Sequence, residues 1–135
     1  MKIGLIGATN AGKSTLFNRL IGQFRAIVTD IHGTTIDILS HTLEADRLGK
    51  ITFYDSPGLG DFSDELPFIE KIVKNSDFLL FVIDDSVGIT AKDQHILDII
   101  REHSMQDKTL LVVNKLDIKR KVNEIDLAIA DYYAL

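Results

Sequence analysis

A glycine-flanked loop close to the N-terminus has the composition and spacing of a phosphate-binding loop. Gly7 is followed by four residues and then by Gly12-Lys13-Ser14, between an apolar run and an amphipathic segment. Glycines allow successive backbone N–H groups to turn inward, and the start of the following helix adds positive potential, so such a loop can hold an anion. The lysine reaches the outer phosphates of a nucleotide, and the serine hydroxyl is placed to bind Mg²⁺. The alternative is a glycine-rich turn without chemistry, but the strand before it and the helix after it favour the phosphate site. The loop residues that we predict to contact nucleotide are Gly7, Asn10, Ala11, Gly12, Lys13, Ser14 and Thr15.

A second stretch that could do chemistry is Asp55-Ser56-Pro57-Gly58, which directly follows a predicted strand. Its carboxylate lies at the C-terminal end of that strand, where open α/β sheets bind their ligands. Asp55 suits an indirect contact with a bound metal, and the N–H of Gly58 could bond a terminal phosphate while that phosphate is present. The same four residue types also favour a simple turn. The tetrapeptide taken alone fits both interpretations.

The third stretch, Asn114-Lys115-Leu116-Asp117, ends another apolar strand and could select a base. Guanine presents its ring N–H and its exocyclic amine side by side, so the carboxylate of Asp117 can accept from both. Adenine would leave a buried carboxylate unpaired, which is costly. The alternative is a polar loop at a strand end. The nucleotide contacts predicted here are Asn114, Lys115 and Asp117.

The elements that must position these stretches can be predicted from periodicity. We predict strands at residues 2–6, 78–83 and 109–113 and a hairpin of residues 39–45 and 50–54. Helices are predicted at residues 14–21, through Phe68 to Val73, after the capping pattern Thr90-Ala91-Lys92-Asp93, and from Asn123 onward. Gly22 is expected to end the first helix, and residues 23–37 and 59–66 are expected to form two mobile loops, the first close to the phosphates. The run Phe78 to Ile83 is apolar throughout, which is typical of a central parallel strand.

The length and composition of the chain limit the classes of protein to which it can belong. The chain has 135 residues, enough for one domain with a single core. It has no cysteine, which excludes disulfides and thiolate metal sites. Its formal net charge of −5 argues against a broad basic surface that binds nucleic acid. The basic run Lys119-Arg120-Lys121 is therefore best explained as a solvated face. No tract is long and apolar enough to cross a membrane and no signal-peptide layout is present, so we expect a cytoplasmic protein without a membrane partner.

In their order along the chain, four motifs resemble those of the GTP-binding proteins of the TrmE-Era-Der group. They are Gly12-Lys13-Ser14, Thr35, Asp55-Ser56-Pro57-Gly58 and Asn114-Lys115-Leu116-Asp117. The stretches Asn10 to Leu20, Phe81 to Asp84 and Gly88 to Asp93 resemble most closely the first GTPase domain of Der, also called EngA. The resemblance implies a phosphate-loop, Ras-like α/β fold, with a mostly parallel six-stranded sheet and helices on both faces. It also implies GTP and GDP as ligands and the large ribosomal subunit as a partner, contacted through regions outside this chain.

The resemblance further implies roles for single residues. Ser14 and Thr35 would bind Mg²⁺ directly and Asp55 indirectly, Asn10 is associated with K⁺ beside the phosphates, and Lys13, Thr35 and Gly58 would take part in catalysis. Hydrolysis is expected to be slow, since Leu59 stands where many GTPases carry a glutamine that orients water.

The sequence departs from the family pattern at three points. Ile36 replaces an arginine, His32 replaces a proline, and the chain ends before a further strand and a Ser-Ala loop that meets guanine. We therefore expect residues 1–135 to be a GTP-binding domain that is incomplete at its C-terminus and lacks the last strand.

Other functions remain open at this point. One is a nucleotide-dependent binding module with negligible hydrolysis, and another is a related GTPase of the tRNA-modifying or Era type. A phosphate-loop kinase would need an arginine-rich lid, but the arginines at 19, 25, 47, 101 and 120 are scattered along the chain.

Overall fold

The computed structural model describes residues 1–8, 12–23, 25–27, 38–45, 47–56, 61–115, 132 and 135. These residues form a six-stranded sheet with three α-helices packed against it. The elements in chain order are β1 (Lys2–Gly7), α1 (Lys13–Gln23), β2 (Arg25–Ile27), β3 (Leu39–Ala45), β4 (Gly49–Asp55), α2 (Phe62–Asn75), β5 (Phe78–Asp84), α3 (Ala91–Glu102), a 3₁₀ turn (Gln106–Lys108) and β6 (Thr109–Asn114).

The strand order is β2-β3-β4-β1-β5-β6. Four neighbouring strands, β4, β1, β5 and β6, run parallel, whereas β3 pairs antiparallel with both β2 and β4. The predicted hairpin and the mostly parallel sheet are therefore confirmed. Because the four parallel strands point the same way, their C-terminal ends lie along one edge of the sheet. Those ends are Gly7, Asp55, Asp84 and Asn114.

Apolar residues on alternate faces of the strands form two cores. On one face, Phe17 of α1 packs with Leu5 of β1 and with residues of the hairpin. On the other face, Ile6 lies among buried residues of α2 and α3, including Ile72 and Ile96. Leu5 and Ile6 point to opposite sides because side chains alternate along a strand. The helices thus cover both faces, as the family resemblance implies.

Two helix starts are fixed by side-chain caps. Asp61 accepts a hydrogen bond from the backbone N–H of Ser63 at 3.0 Å and caps α2. Thr90 and Asp93 form a reciprocal capping box at the start of α3, which confirms the capping pattern predicted there. None of the helices within the described ranges has both the length and the apolar character to span a bilayer.

Several predicted boundaries are wrong. Helix α1 continues through Gly22 to Gln23, and β2 forms within the stretch 23–37 that we expected to be a loop. Within the described residues, three residues of this stretch pair with β3, and a run of three is too short for an alternating pattern to be visible in the sequence. Helix α2 begins at Phe62, inside the second predicted loop, because Asp61 caps it. Residues 24 and 28–37 of the first predicted loop and residues 59 and 60 of the second lie outside the described part of the chain. So do residues 57 and 58, and residues 116–131 with most of the last predicted helix.

Candidate nucleotide-binding site

The phosphate loop joins the end of β1 to the start of α1, and two of its glycines are required by close contacts. A Cβ on Gly7 would lie 2.5 Å from the carbonyl oxygen of Val82 in the neighbouring strand. Gly12 has φ of +97°, which disfavours side chains, and a Cβ there would lie 2.0 Å from Nδ2 of Asn114. The backbone at Gly7 and Gly12 is therefore packed directly against Val82 of β5 and Asn114 of β6. Asn10 and Ala11 lie outside the described residues.

Lys13, the first residue of α1, extends toward the end of β4. Its Nζ lies 3.3 Å from Oγ of Ser56 and 3.9 Å from Oδ1 of Asp55, and both charged side chains are largely buried. The structure thus brings together the phosphate loop and the second predicted stretch. Thr15 is exposed in the first turn of α1, and only the backbone of Ser14 is described.

Asp55 is a largely buried carboxylate at the end of β4. Burial raises its pKa above the usual value, while the charge of Lys13 and a backbone hydrogen bond from Ser56 act in the opposite direction. Among the described residues its Oδ1 is buried without a hydrogen-bond partner. A buried, unsatisfied oxygen is expensive unless a ligand or water serves it. An acidic oxygen of this kind at the end of β4 fits a contact with a hydrated Mg²⁺. Thr35 and Gly58 lie outside the described residues.

The opposite end of the site is formed by β5 and β6. The carbonyl of Asn114 accepts from the backbone N–H of Asp85 at 2.9 Å, which extends the pairing of the two strands. Lys115 follows with φ of +60°, and its Nζ donates to Oδ2 of Asp84 at 3.0 Å. The other carboxylate oxygen of Asp84 accepts from both the backbone N–H and the hydroxyl of Ser86. Burial would raise the pKa of Asp84, but the hydrogen bonds from Ser86 and Lys115 outweigh it and lower the pKa.

Sequence analysis named Asn114 and Lys115 for this end of the site, and the structure places both there. Asp117 lies outside the described residues. Sequence analysis did not assign roles to Ser56 or to Asp84, although both lie in quoted motifs. The available signal for Asp84 was a single acidic residue closing a fully apolar strand.

A family model described as "50S ribosome-binding GTPase" matches residues 2–115, which include both ends of this site. The chain belongs to this GTPase family. The expected Ras-like, phosphate-loop fold is thereby confirmed, and the chain is a GTP-binding GTPase domain of the TrmE-Era-Der type.

Curated relatives carry two different names. The chain is 36% identical over 131 residues to the tRNA modification GTPase MnmE of Desulforamulus reducens, covering 93% of this chain and 27% of that protein. It is 38% identical over 126 residues to the GTPase Der of Sulfurihydrogenibium, and this match covers 89% of this chain and 28% of that protein. The chain thus spans little more than a quarter of these relatives. The sequence resemblance to Der in particular is not confirmed, since proteins named MnmE match to a similar degree.

Solved structures with the same fold include an Era of Aquifex aeolicus bound to GDP and AlF₄⁻. Superposition of this chain on that Era gives a TM-score of 0.68 at 22% sequence identity, and it covers 98% of this chain and 46% of the Era chain. Era in complex with MgGDPNP and a segment of 16S ribosomal RNA gives a TM-score of 0.71 at 22% identity, with the same coverage. At this identity the likeness concerns the fold alone.

Proposed function

We propose that this domain is a guanine-nucleotide switch that binds GTP and hydrolyses it slowly to GDP and phosphate. The observation that carries the proposal is the packing of Asn114 against Gly12, because it joins the motif for the base to the motif for the phosphates. The contact of Lys13 with the end of β4 adds the carboxylate of Asp55 to the same site. A nucleotide would lie along this edge of the sheet, where open α/β sheets bind their ligands.

In the proposed reaction, water attacks the terminal phosphorus in line with the leaving GDP oxygen. The ammonium of Lys13 and the amides of the phosphate loop stabilise the negative charge on the outer phosphates, and positioning provides most of the rate. Bound Mg²⁺, held through Ser14, Thr35 and Asp55, would neutralise further charge on the phosphates. Thr35 and Gly58 would contact the terminal phosphate and be released when it leaves, which is the conformational switch. Leu59 has no polar group to orient the water, so turnover without an activating factor should be slow.

A lysine variant tests the role of the phosphate loop in both hydrolysis and binding. Lys13→Ala should abolish phosphate release and weaken GTP binding, because the charge facing the outer phosphates is lost. Lys74→Ala is a matched control, since Lys74 is an exposed lysine on α2 that pairs with Glu70 at 3.5 Å. Nucleotide binding without phosphate release by the unaltered protein would favour the alternative, a nucleotide-dependent binding module.

For the biological role, we propose assembly of the large ribosomal subunit, as in a GTPase of the Der type. The support is the family description and the Der relative. Relatives named as tRNA modification GTPases favour a second candidate, a role in tRNA modification. Depletion of the encoded protein separates the two: sucrose gradients would show immature large subunits in the first case, and analysis of tRNA nucleosides would show a lost modification in the second.

A further inference from the structure

The segment between β6 and Asp117 begins with an unusual backbone conformation. Lys115 has φ of +60°, in the left-handed region that residues with a side chain seldom adopt. Such a conformation persists where surrounding contacts determine it, and it is common at functional sites. Because Lys115 is the first residue beyond β6, its backbone angles set the direction in which the chain continues toward Asp117.

Asp84 makes a charged contact with Lys115. The two residues lie at the ends of adjacent strands, since Asp84 is paired with Asn114 in the parallel ladder. One carboxylate oxygen of Asp84 is fixed by the N–H and hydroxyl of Ser86, and the other accepts from Nζ of Lys115 at 3.0 Å. The carboxylate is therefore oriented independently of Lys115. The side chain of Asp84 is 13% exposed and that of Lys115 is 32% exposed, so water screens this pair less than a surface pair.

We propose that Asp84 is a positioning residue for base recognition. By holding the ammonium of Lys115, it fixes the left-handed backbone conformation of that residue, from which the chain continues to Asp117, the residue proposed to accept from guanine. This inference rests on the proposed function, because it assumes that Asp117 faces the base.

The placement of Asp84 separates its effect from that of the phosphate contacts. Lys13 contacts Ser56 and Asp55 at the end of β4, and β1 lies between β4 and β5. Loss of the Asp84 carboxylate should leave those contacts in place. Replacement of Asp84 should therefore reduce the protein's discrimination between bases more than it reduces the affinity for the diphosphate part of the nucleotide. A residue with a merely structural role would weaken the binding of all nucleotides equally.

The test compares GDP with IDP, whose hypoxanthine ring keeps the ring N–H but lacks the exocyclic amine. Asp84→Asn keeps an oxygen for Ser86 and removes the charge that holds Lys115. We expect GDP binding to weaken by roughly tenfold, the loss typical of one charge-assisted hydrogen bond, and IDP binding to weaken less, so that the preference for GDP narrows. Calorimetry gives both dissociation constants. Asp98→Asn is the control, since it removes an exposed carboxylate that pairs with Arg101 on α3 and should change neither constant.

Each outcome decides a different point. Unchanged affinities in Asp84→Asn, or equal weakening for GDP and IDP, would overturn the positioning role. Failure of the unaltered protein to bind GDP would overturn the proposed function itself. If Asp84→Asn does not fold, Lys115→Met breaks the same pair from the more exposed side and should narrow the same preference. Where both fold, the double variant should lose less than the two single losses combined, and additive losses would show that the two residues do not act together.

Discussion

The side-chain amide of Asn114 occupies the space in which a side chain on Gly12 would lie. The distance from Nδ2 of Asn114 to an ideal Cβ on Gly12 is 2.0 Å, which no real pair of atoms tolerates. Two motifs that are far apart in the sequence are therefore in direct contact, at the junction between the predicted phosphate and base sites. A side chain added at Gly12 must therefore displace Asn114 or the loop.

We expect Gly12→Ala to remove nucleotide binding almost completely. The added methyl group must push Asn114 away from the loop or push the loop away from the phosphates. Gly88→Ala is a matched control, because Gly88 also has positive φ, +82°, but a Cβ there would meet no atom within 4 Å. The control should show only the cost of the backbone conformation, about 1–2 kcal/mol. Measurement of GDP affinity on both folded variants checks this, and equal affinities in the two would contradict the contact.

Core packing leads to a second prediction, at Gly4 in β1. A Cβ there would lie 2.5 Å from Cγ2 of Ile72, 2.6 Å from Oγ of Ser76 and 2.8 Å from Cδ2 of Leu79. Because α2 rests directly on this glycine, Gly4→Ala should lower the free energy of unfolding by about 1–3 kcal/mol through overpacking. Urea denaturation measures the loss. An unchanged free energy of unfolding would show that α2 and Leu79 move to accommodate the methyl group without cost.

The motifs that determine this fold locally could be predicted from sequence. The phosphate loop, the hairpin and the capping box at Thr90 each depend on residues that are near one another in the chain. The short strand β2 could not be predicted, because three residues carry no usable periodicity and their pairing with β3 is a tertiary effect. The ion pair of Asp84 and Lys115 joins residues 31 positions apart, so only the parallel register of β5 and β6 brings it about.

A third prediction concerns the pH dependence of α2. The pKa of Asp61 is lowered, first by the hydrogen bond from the backbone N–H of Ser63 and then by the hydroxyl of the same residue. A carboxyl whose pKa is lower in the folded state than in the unfolded state stabilises the fold while it is charged. This stabilisation is complete at pH values above the unfolded pKa, near 3.8, and it is lost as the pH falls through the folded pKa. Asp61→Ala should therefore lower the melting temperature at pH 7, and the difference should shrink at acidic pH.

Asp61→Asn separates the charge from the cap. Asparagine caps a helix about as well as aspartate but does not titrate in this range. The Asn variant should stay close to the unaltered protein at pH 7 and should lose less stability than the unaltered protein at acidic pH, because the contribution from Asp61 no longer titrates. A pH-independent difference between Asp61→Ala and the unaltered protein would show that the titration of Asp61 does not contribute.

Potassium dependence is a fourth prediction, and it rests on Asn10, which lies outside the described residues. A monovalent cation bound beside the phosphates would stabilise charge that develops during hydrolysis. We expect phosphate release to be faster in K⁺ than in Na⁺ at matched ionic strength, and Asn10→Ala to remove the difference. Identical rates in the two salts would leave Asn10 as a residue that merely tolerates the backbone angles of the loop.

The last prediction tests base selection at Asp117. If its carboxylate accepts from the ring N–H and the amine of guanine, the unaltered protein should bind GTP and GDP far better than ATP. Asp117→Asn should shift the preference toward xanthine nucleotides, because an amide can donate to the carbonyl oxygen that replaces the amine. Removal of one partner of a buried, charge-assisted hydrogen bond weakens binding by roughly tenfold to a hundredfold, so competition between GDP and XDP resolves the shift. Equal binding of ATP and GTP by the unaltered protein would refute base selection by this residue. The same assay on Asp84→Asn, which leaves Asp117 intact, should weaken guanine binding without creating a preference for xanthine.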